Sequence, residues 1–195
     1  MKRLVLVTAP TVEPVTTDAM KDHSRIDHME EDGVVSSYEK AARQWCEKAT
    51  GRAFVTQTWD LYMDSFPSKS ALIIPMPPLQ SVTSVTYYDE DNNSAVLASS
   101  NYIVSAGTPG RITLTSSGAW PSTSLRPADG VVVRFVAGYG DDASDVPEHA
   151  RQAVRMLAAH LYENREPVIV GTSIAKLPFA VDALLSPEYY RTPEQ

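Results

Sequence analysis

Residues 147–165 carry the periodic pattern that most constrains how this chain folds. The stretch reads PEHARQAVRMLAAHLYENR, and its apolar residues recur at steps of three and four, which predicts one apolar stripe on an α-helix. Asp145 and Glu148 have the spacing of a capping box, and Pro147 suits a first turn, where a backbone N–H has no helical partner. Pro167 stops the helix from continuing. Because the stripe is rich in alanine, we expect a second helix to pack closely against it.

Residues 31–50 are predicted to be that second long helix. Asp32 is its expected N-cap, and Gly51 suits the left-handed position that follows a helix. With a short helix over 19–23, the two long helices would form a helical base from residues 16–52 and 145–166. The predicted helix–helix core consists of Val34, Tyr38, Ala41, Ala42, Trp45 and Ala49 from the first long helix, and Ala150, Ala153, Val154, Leu157 and Leu161 from the second.

The stretch between these helices, residues 53–140, is predicted to be an inserted antiparallel β-sheet or small sandwich. Short runs rich in β-branched and aromatic residues alternate with Pro and Gly turn signals, and the long helices that parallel crossovers need are absent from the pattern. The chain is therefore expected to be a single α+β domain over residues 1–195. The predicted strands are 55–63, 71–75, 81–89, with one slip in register, 95–98, 102–105, 111–115 and 131–137, and residues 4–8 read as a short strand or an extended arm.

Residues 167–195 are predicted to be an extended C-terminal tail with one short helix over 179–185. The tail carries more apolar residues than so short a structure can bury by itself, so it either folds back on the body or binds another molecule. The residues that we assign to a partner-binding surface are Ile174, Leu177, Pro178, Phe179, Leu184, Leu185, Tyr189, Tyr190 and Arg191.

Composition limits the classes of function. Hydrophobic residues make up 43% and charged residues 21% of the chain, which is typical of a soluble globular protein. The net charge is −7 and the Lys and Arg residues are scattered, so the basic patch of a nucleic-acid binder is missing. Cys46 is the single cysteine, which excludes an intrachain disulfide, and we expect it to be buried. No apolar run is long enough to span a membrane, and synthesis in the bacterial cytoplasm is expected.

The sequence contains none of the common motifs for nucleotide binding, metalloprotease or serine-hydrolase chemistry. His23 and His28, with Glu30 and Glu31, are the residues that most resemble a ligand cluster, and a small metal-binding hydrolase that uses His23, His28 and Glu30 is one alternative. Two histidines five residues apart do not share a helix face, so a solvated connector is the favoured interpretation. We therefore predict no catalytic residue, no metal and no cofactor.

Several stretches, in this order and at this spacing, resemble the head–tail connector (adaptor) proteins of long-tailed bacteriophages, a family also present in prophages and gene transfer agents. The resemblance runs from about residue 16 onward. It rests on HSRIDHMEED, KATGRAF, QTWDLYMDSFP, PMPPLQSVTSVTYYD, WPS, VRFVAGYGDDASDVP, DVPEHARQAVRMLAAHLYENRE and LPFAVDALLSPEYYR.

The resemblance implies a structural virion protein at the head–tail junction, without enzymatic activity. Subunits of that family form a ring, typically a dodecamer, that sits below the portal protein and receives a tail-side stopper. The ring continues the channel through which DNA passes without specific binding. The alternative within the same class is another head or tail completion protein, such as a stopper, although those are usually smaller and mainly β.

Overall fold

The structure is a computed structural model, and it describes residues 2–165 and 179–190. It has the predicted α+β class, with helices and two antiparallel sheets. The chain divides into two compact units, and the first, the β unit, contains most of the chain between the two long helices. Of the described residues, the β unit contains 2–10 and 56–139, and the helical unit contains 11–55, 140–165 and 179–190.

The described part of the helical unit contains the predicted helices, with small shifts at their ends. None of the helices within the described ranges is long and apolar enough to cross a membrane. A 3₁₀ turn precedes the third helix and another follows the fourth. The helices are α1 (Thr17–Ser24), α2 (Asp32–Thr50), α3 (Glu148–Glu163) and α4 (Phe179–Leu185), and the 3₁₀ turns are Ala143–Asp145 and Ser186–Glu188.

Two of the helix ends follow local sequence rules. The side chain of Thr16 caps α1 by accepting the N–H of Ala19 at 3.2 Å. Gly51 ends α2 with φ of 70°, the left-handed region where a side chain would be strained. Asp32, the predicted N-cap of α2, is instead its first helical residue, and its carboxylate accepts a hydrogen bond from Lys21 Nζ at 2.7 Å.

The capping box before α3 lies three residues earlier than predicted. Asp142 and Asp145 cap the 3₁₀ turn reciprocally, and Asp145 Oδ2 accepts the N–H of Asp142 at 3.0 Å. Pro147 precedes the first helical residue of α3, and no side chain caps that helix. The tight turn requires Gly140, because a Cβ there would lie 2.0 Å from Asp145 Oδ2. Asp145 therefore stabilises the turn before α3. The predicted capping box between Asp145 and Glu148 at the start of α3 is wrong.

Helices α2 and α3 pack against each other. The contact side of α3 is the alanine-rich stripe of the sequence, and Leu161 near its end is partly exposed. The buried residues of α3 are Ala150, Ala153, Val154, Leu157 and Ala158, and the buried apolar residues of α2 are Val35, Ala42 and Cys46.

The predicted apolar face of α2 is wrong in its centre. Val34, Ala41 and Trp45 are exposed, and Tyr38 and Ala49 are partly exposed. The buried face is turned by roughly one residue and includes three charged side chains, for a reason given below. Its full membership is Val35, Glu39, Ala42, Arg43, Cys46, Glu47 and Thr50.

The described part of the β unit contains two antiparallel sheets, as the turn-rich sequence predicts. One has five strands in the order β1-β2-β8-β4-β5, and the other has three in the order β3-β7-β6. The strands are β1 (Lys2–Thr8), β2 (Gln57–Met63), β3 (Ala71–Ile74), β4 (Leu79–Tyr88), β5 (Ser94–Val96), β6 (Tyr102–Ser105), β7 (Gly110–Leu114) and β8 (Val131–Ala137).

Strand β8 forms the centre of the larger sheet, and its sequence alternates accordingly. Val131, Val133, Phe135 and Ala137 have no exposed surface, whereas Arg134 points outward. The guanidinium of Arg134 donates two hydrogen bonds of 2.8 Å to Asp60 on the neighbouring β2. On its other side β8 pairs with β4, whose register shifts twice, where the sequence pattern predicted one slip.

The N-terminal stretch, left open between strand and arm, is an edge strand. β1 pairs antiparallel with β2 from Lys2 to Thr8, with a register shift between Leu6 and Thr8. Leu6 and Val7 are exposed near its end. The larger sheet therefore combines the N-terminus with residues that follow α2 by only a few positions.

Candidate functional site

The buried side of α2 is built around an arginine. The Arg43 side chain is 2% exposed, and its Nε donates to Glu13 Oε2 at 2.6 Å while Nη1 donates to Glu47 Oε2 at 2.6 Å. Glu47 Oε1 also accepts the N–H of Phe54 at 2.9 Å. Buried charges are tolerated when they are paired and their remaining hydrogen-bonding sites are used. This pairing lets charged residues occupy the inner face of the helix.

Because charged residues fill the inner face, an apolar stripe remains on the outside of α2. Val34 is 38% exposed and Trp45 is 36% exposed. Tyr38 meets the ring of Tyr162 edge to face, with centroids 6.4 Å apart. Lys48 follows one turn after Trp45 and is exposed. We call the set Val34, Tyr38, Ala41 and Trp45 the α2 outer stripe.

A cavity of about 360 Å³ opens beside the first half of α2. It is bounded by the segment before α1, by one side of α2 and by the start of the 3₁₀ turn before α3. Acidic side chains are its only charged residues, so we call it the acidic cavity. It is lined by Val12, Glu13, Val15, Thr16, Thr17, Ser36, Glu39, Asp142 and Ala143.

Glu39 is the buried acid of this cavity, with 2% of its surface exposed. Its Oε2 accepts a hydrogen bond from Thr17 Oγ1 at 3.0 Å, and its Oε1 has no hydrogen-bond partner among the described residues. Burial raises the pKa of Glu39, and the neighbouring Glu13 raises it further, against the lowering effect of the Thr17 bond. The cavity therefore favours a ligand that brings a hydrogen-bond donor or a positive charge.

The chain after α4 is fastened to the helical unit by polar bonds. Arg52 Nε donates to the backbone oxygen of Glu188 at 2.7 Å, and His149 Nε2 lies 2.7 Å from Glu188 Oε1. The N–H of Tyr190 donates to the backbone oxygen of Thr50 at 2.8 Å. These contacts resolve the choice left open by the sequence for this stretch, which folds back on the body.

The residues assigned to a partner-binding tail fall into three groups. Leu185 is fully buried and Val181 beside it is buried too, so the chain's own core takes Leu185 and its assignment to a partner surface is corrected. Leu184 and Tyr190 are partly exposed, and Tyr189 is 42% exposed. Ile174, Leu177, Pro178 and Arg191 lie outside the described residues, as does the side chain of Phe179.

The residues considered for a metal site do not converge. His28 Nδ1 is 3.3 Å from Glu30 Oε2, in a contact whose side chains are 43% and 82% exposed. His23 is exposed on α1. Within residues 2–165 and 179–190, no group of three or more His, Cys, Asp or Glu side chains is placed to hold a metal ion. The alternative of a metal-binding hydrolase gains no support from this geometry.

Sequence reasoning missed the residues that shape both surfaces. Glu39, Arg43 and Glu47 were not included in the predicted face of α2, and charged residues are rarely buried. Their spacing of four residues places them on one face of a helix, and an acid–base–acid run at that spacing was the available signal. Glu13 was beyond reach, since it lies thirty positions before Arg43 and only the folded chain brings the two together.

No protein-family model matches the sequence, and no curated protein matches it. Solved structures do match. A chain from the neck of an empty gene transfer agent particle, computed with C6 symmetry, is 23% identical, with 98% of this chain and 97% of that chain covered at a TM-score of 0.81. A chain from the virion of a native gene transfer agent particle is 24% identical over the same shares, also at 0.81.

A third similar chain belongs to the neck of a native gene transfer agent particle computed with C12 symmetry. It is 24% identical and covers 98% of this chain and 97% of its own length at a TM-score of 0.74. At this level of identity the likeness establishes the fold. The chain therefore shares, over nearly its whole length, the fold of chains found in gene transfer agent particles, in agreement with the resemblance to head–tail connector proteins.

Proposed function

We propose that this chain is a structural protein of a virion neck, an adaptor whose copies form a ring between the portal protein and the tail. The observation that carries the proposal is the shared fold with a neck chain of a gene transfer agent particle, over 98% of this chain at a TM-score of 0.81. The role needs protein–protein contacts and no chemical step, so the protein is proposed not to be an enzyme.

The proposed ring is a dodecamer of identical copies. The similar chains come from particle necks computed with C6 and with C12 symmetry, and both are compatible with twelve copies around one axis. A closed ring is built from heterologous contacts, in which each subunit offers two different faces. We propose that the helical base of residues 16–52 and 145–166 supplies those faces.

Contacts with the portal protein and with a tail-side stopper are proposed for other parts of the chain. Residues 167–195 remain the proposed portal-binding tail, in particular Ile174, Leu177 and Pro178. An extended apolar segment can bind by adding a strand to a sheet or by placing a short helix in a groove. The stretch from α4 to Tyr190 contributes less than the sequence predicted, because Leu185 belongs to the body.

The net charge of −7 suits passage of DNA through the ring. Negative charges on the protein repel the negative phosphates of DNA, so the genome would move through the channel without being bound tightly. We propose that DNA contacts this protein only during passage and is not read by it.

Interrupting the gene for this chain in the bacterium that produces the particles tests the proposal. We expect electron microscopy to show heads and tails that are not joined, and a plasmid copy of the intact gene to restore joined particles. Tailed, DNA-filled particles from the interrupted gene would overturn the proposed role.

A further inference from the structure

We propose that neighbouring copies of this chain meet through the α2 outer stripe of one copy and the acidic cavity of the next, where Lys48 of the first copy bonds Glu39 of the second. The inference rests on the proposed ring and names the contact that closes it. Within one copy Val34 and Trp45 of the stripe stay more than one third exposed, and Glu39 Oε1 at the cavity has no hydrogen-bond partner among the described residues.

The two surfaces lie on opposite sides of the same helix. Ser36 lines the acidic cavity, and Trp45 in the outer stripe follows it by nine residues. At about 100° per residue, nine residues rotate by about 900°, which is two full turns and a half. A copy that offers its stripe to one neighbour therefore presents its cavity toward the other side. A head-to-tail ring requires this arrangement.

The charges of the two surfaces are complementary. Between its first and last residues, α2 exposes only two charged side chains, Lys40 and Lys48, because Glu39, Arg43 and Glu47 are buried. The acidic cavity is lined by Glu13, Glu39 and Asp142, and of these Glu13 is already paired with Arg43. An apolar stripe flanked by lysine on one copy thus faces apolar and acidic groups on the next, and such matching fixes the register of an interface.

Glu39 is a second, independent indication that a group from another molecule binds at the acidic cavity. Glu39 lines the cavity, and its Oε1 is buried without a hydrogen-bond partner among the described residues. Lys48 of the same copy cannot reach it, since nine residues place the two on opposite sides of α2 and about 13 Å apart along its axis. An ammonium group from a neighbouring copy has the charge and the donors that Oε1 lacks. Burial also raises the pKa of Glu39, which marks the carboxylate as one that gains from a cation.

Cross-linking inside particles tests the contact. The variant with both Ala41→Cys and Ala143→Cys places one thiol on the stripe and one at the cavity. Native Cys46 does not interfere, because it is fully buried and burial raises the pKa of its thiol to about 12. In purified particles, a short bis-maleimide is expected to join the double variant into a ladder of multimers, while each single variant stays monomeric.

The outcomes separate this contact from the proposed function. Particles that contain the double variant, are tailed and DNA-filled, and give no ladder would overturn the contact and leave the neck role standing. Dimers from Ala41→Cys alone would show a symmetric contact and overturn the head-to-tail arrangement. Cross-links from Ala41→Cys to a different particle protein would show that another partner covers the stripe. A protein missing from the particles would instead overturn the neck role.

Charge variants give a second measurement. We expect Lys48→Glu to lower the yield of tailed particles at least roughly tenfold, because it places a carboxylate against Glu39, and Lys48→Arg to stay within about twofold. The matched control is Lys69→Glu, the same reversal at an exposed position of the β unit. Circular dichroism of the purified variants checks folding. A Lys48→Glu yield equal to that of Lys69→Glu would overturn the role of Lys48.

Discussion

Strand β8 and helix α2 are both central elements, yet burial follows different rules in the two. In β8 the apolar residues alternate inward and the one charged residue, Arg134, points outward. In α2 the helix buries Glu39, Arg43 and Glu47 and leaves Val34 and Trp45 exposed. Arg134 is also paired, with Asp60 on the neighbouring β2, so a partner alone does not turn a charged residue inward. Where acid and base are spaced to pair on one face, pairing can turn that face inward.

The comparison also separates what the two regions do. Every inward residue of β8 serves the core of the β unit. Helix α2 instead serves the core with one side and leaves an apolar surface on the other, which is the usual mark of a site for another protein. Variants that remove the buried ion pairs of α2, or that shorten a side chain on one side of the helix at a time, test this contrast.

The largest effect is expected from Arg43→Met. The change leaves the buried Glu47 and the partly buried Glu13 without their guanidinium partner, and removing one member of a buried ionic group costs about 3–5 kcal/mol. Urea unfolding followed by circular dichroism measures the loss. Arg111→Met, at an exposed position of β7, is the control and should change stability by about 0.5 kcal/mol or less. Equal losses of unfolding free energy in the two variants would show that the Arg43 ion pairs do not stabilise the buried face of α2.

A smaller effect distinguishes the two sides of α2 with adjacent valines. Val35 is 1% exposed and Val34 is 38% exposed. Val35→Ala removes two buried methyl groups and is expected to lower the free energy of unfolding by about 2 kcal/mol, whereas Val34→Ala should lower it by less than about 0.5 kcal/mol. Chemical denaturation of both variants under one set of conditions gives the comparison. Equal losses of unfolding free energy for Val34→Ala and Val35→Ala would contradict the observed orientation of α2, in which only Val35 is buried.

The smallest effect concerns Glu31, a partly exposed acid just before α2. The Arg165 guanidinium, which donates to both oxygens of Glu31, and the Tyr162 hydroxyl hold the pKa of Glu31 at about 2, below its ordinary 4.5. A lowered folded-state pKa stabilises the fold above the ordinary value, and the contribution disappears as the pH falls through about 2. Glu31→Gln should therefore be less stable than the parent at pH 6, and the gap should close near pH 2.

Denaturant midpoints of the parent and the Glu31→Gln variant across this pH range measure the effect. Glu30→Gln is the control, because the Glu30 side chain is 82% exposed and contacts only His28 among the ion pairs of the described residues. A gap for Glu31→Gln that does not depend on pH would mean that the carboxylate contributes packing and not charge.

The sequence predicts the elements well because their signals are local. The strand of residues 131–137 has the bounds read from its alternation, and the helix of residues 179–185 has the bounds read from its pattern. Gly51 ends α2 as expected because only glycine adopts φ of 70° without strain. Such features depend on neighbours a few positions away, which a single sequence contains.

The candidate surfaces could not be predicted because they depend on distant partners. Glu13 meets Arg43, and Glu188 meets Arg52 and His149, only after folding. The apolar stripe of α2 was visible in the sequence, but its direction depends on those partners. For the same reason Leu185 was assigned to a partner surface, although the body of the chain already surrounds it.

The bond between Arg52 and Glu188 sets the earliest time during synthesis at which all contacts of the helical unit can be present. The two residues are 136 positions apart, so at about 5–20 residues per second a ribosome needs roughly 7 to 27 s between them. A nascent chain can therefore make this bond only after Glu188 has left the ribosome. Only a chain that has been translated past that point can form every contact of the helical unit described above.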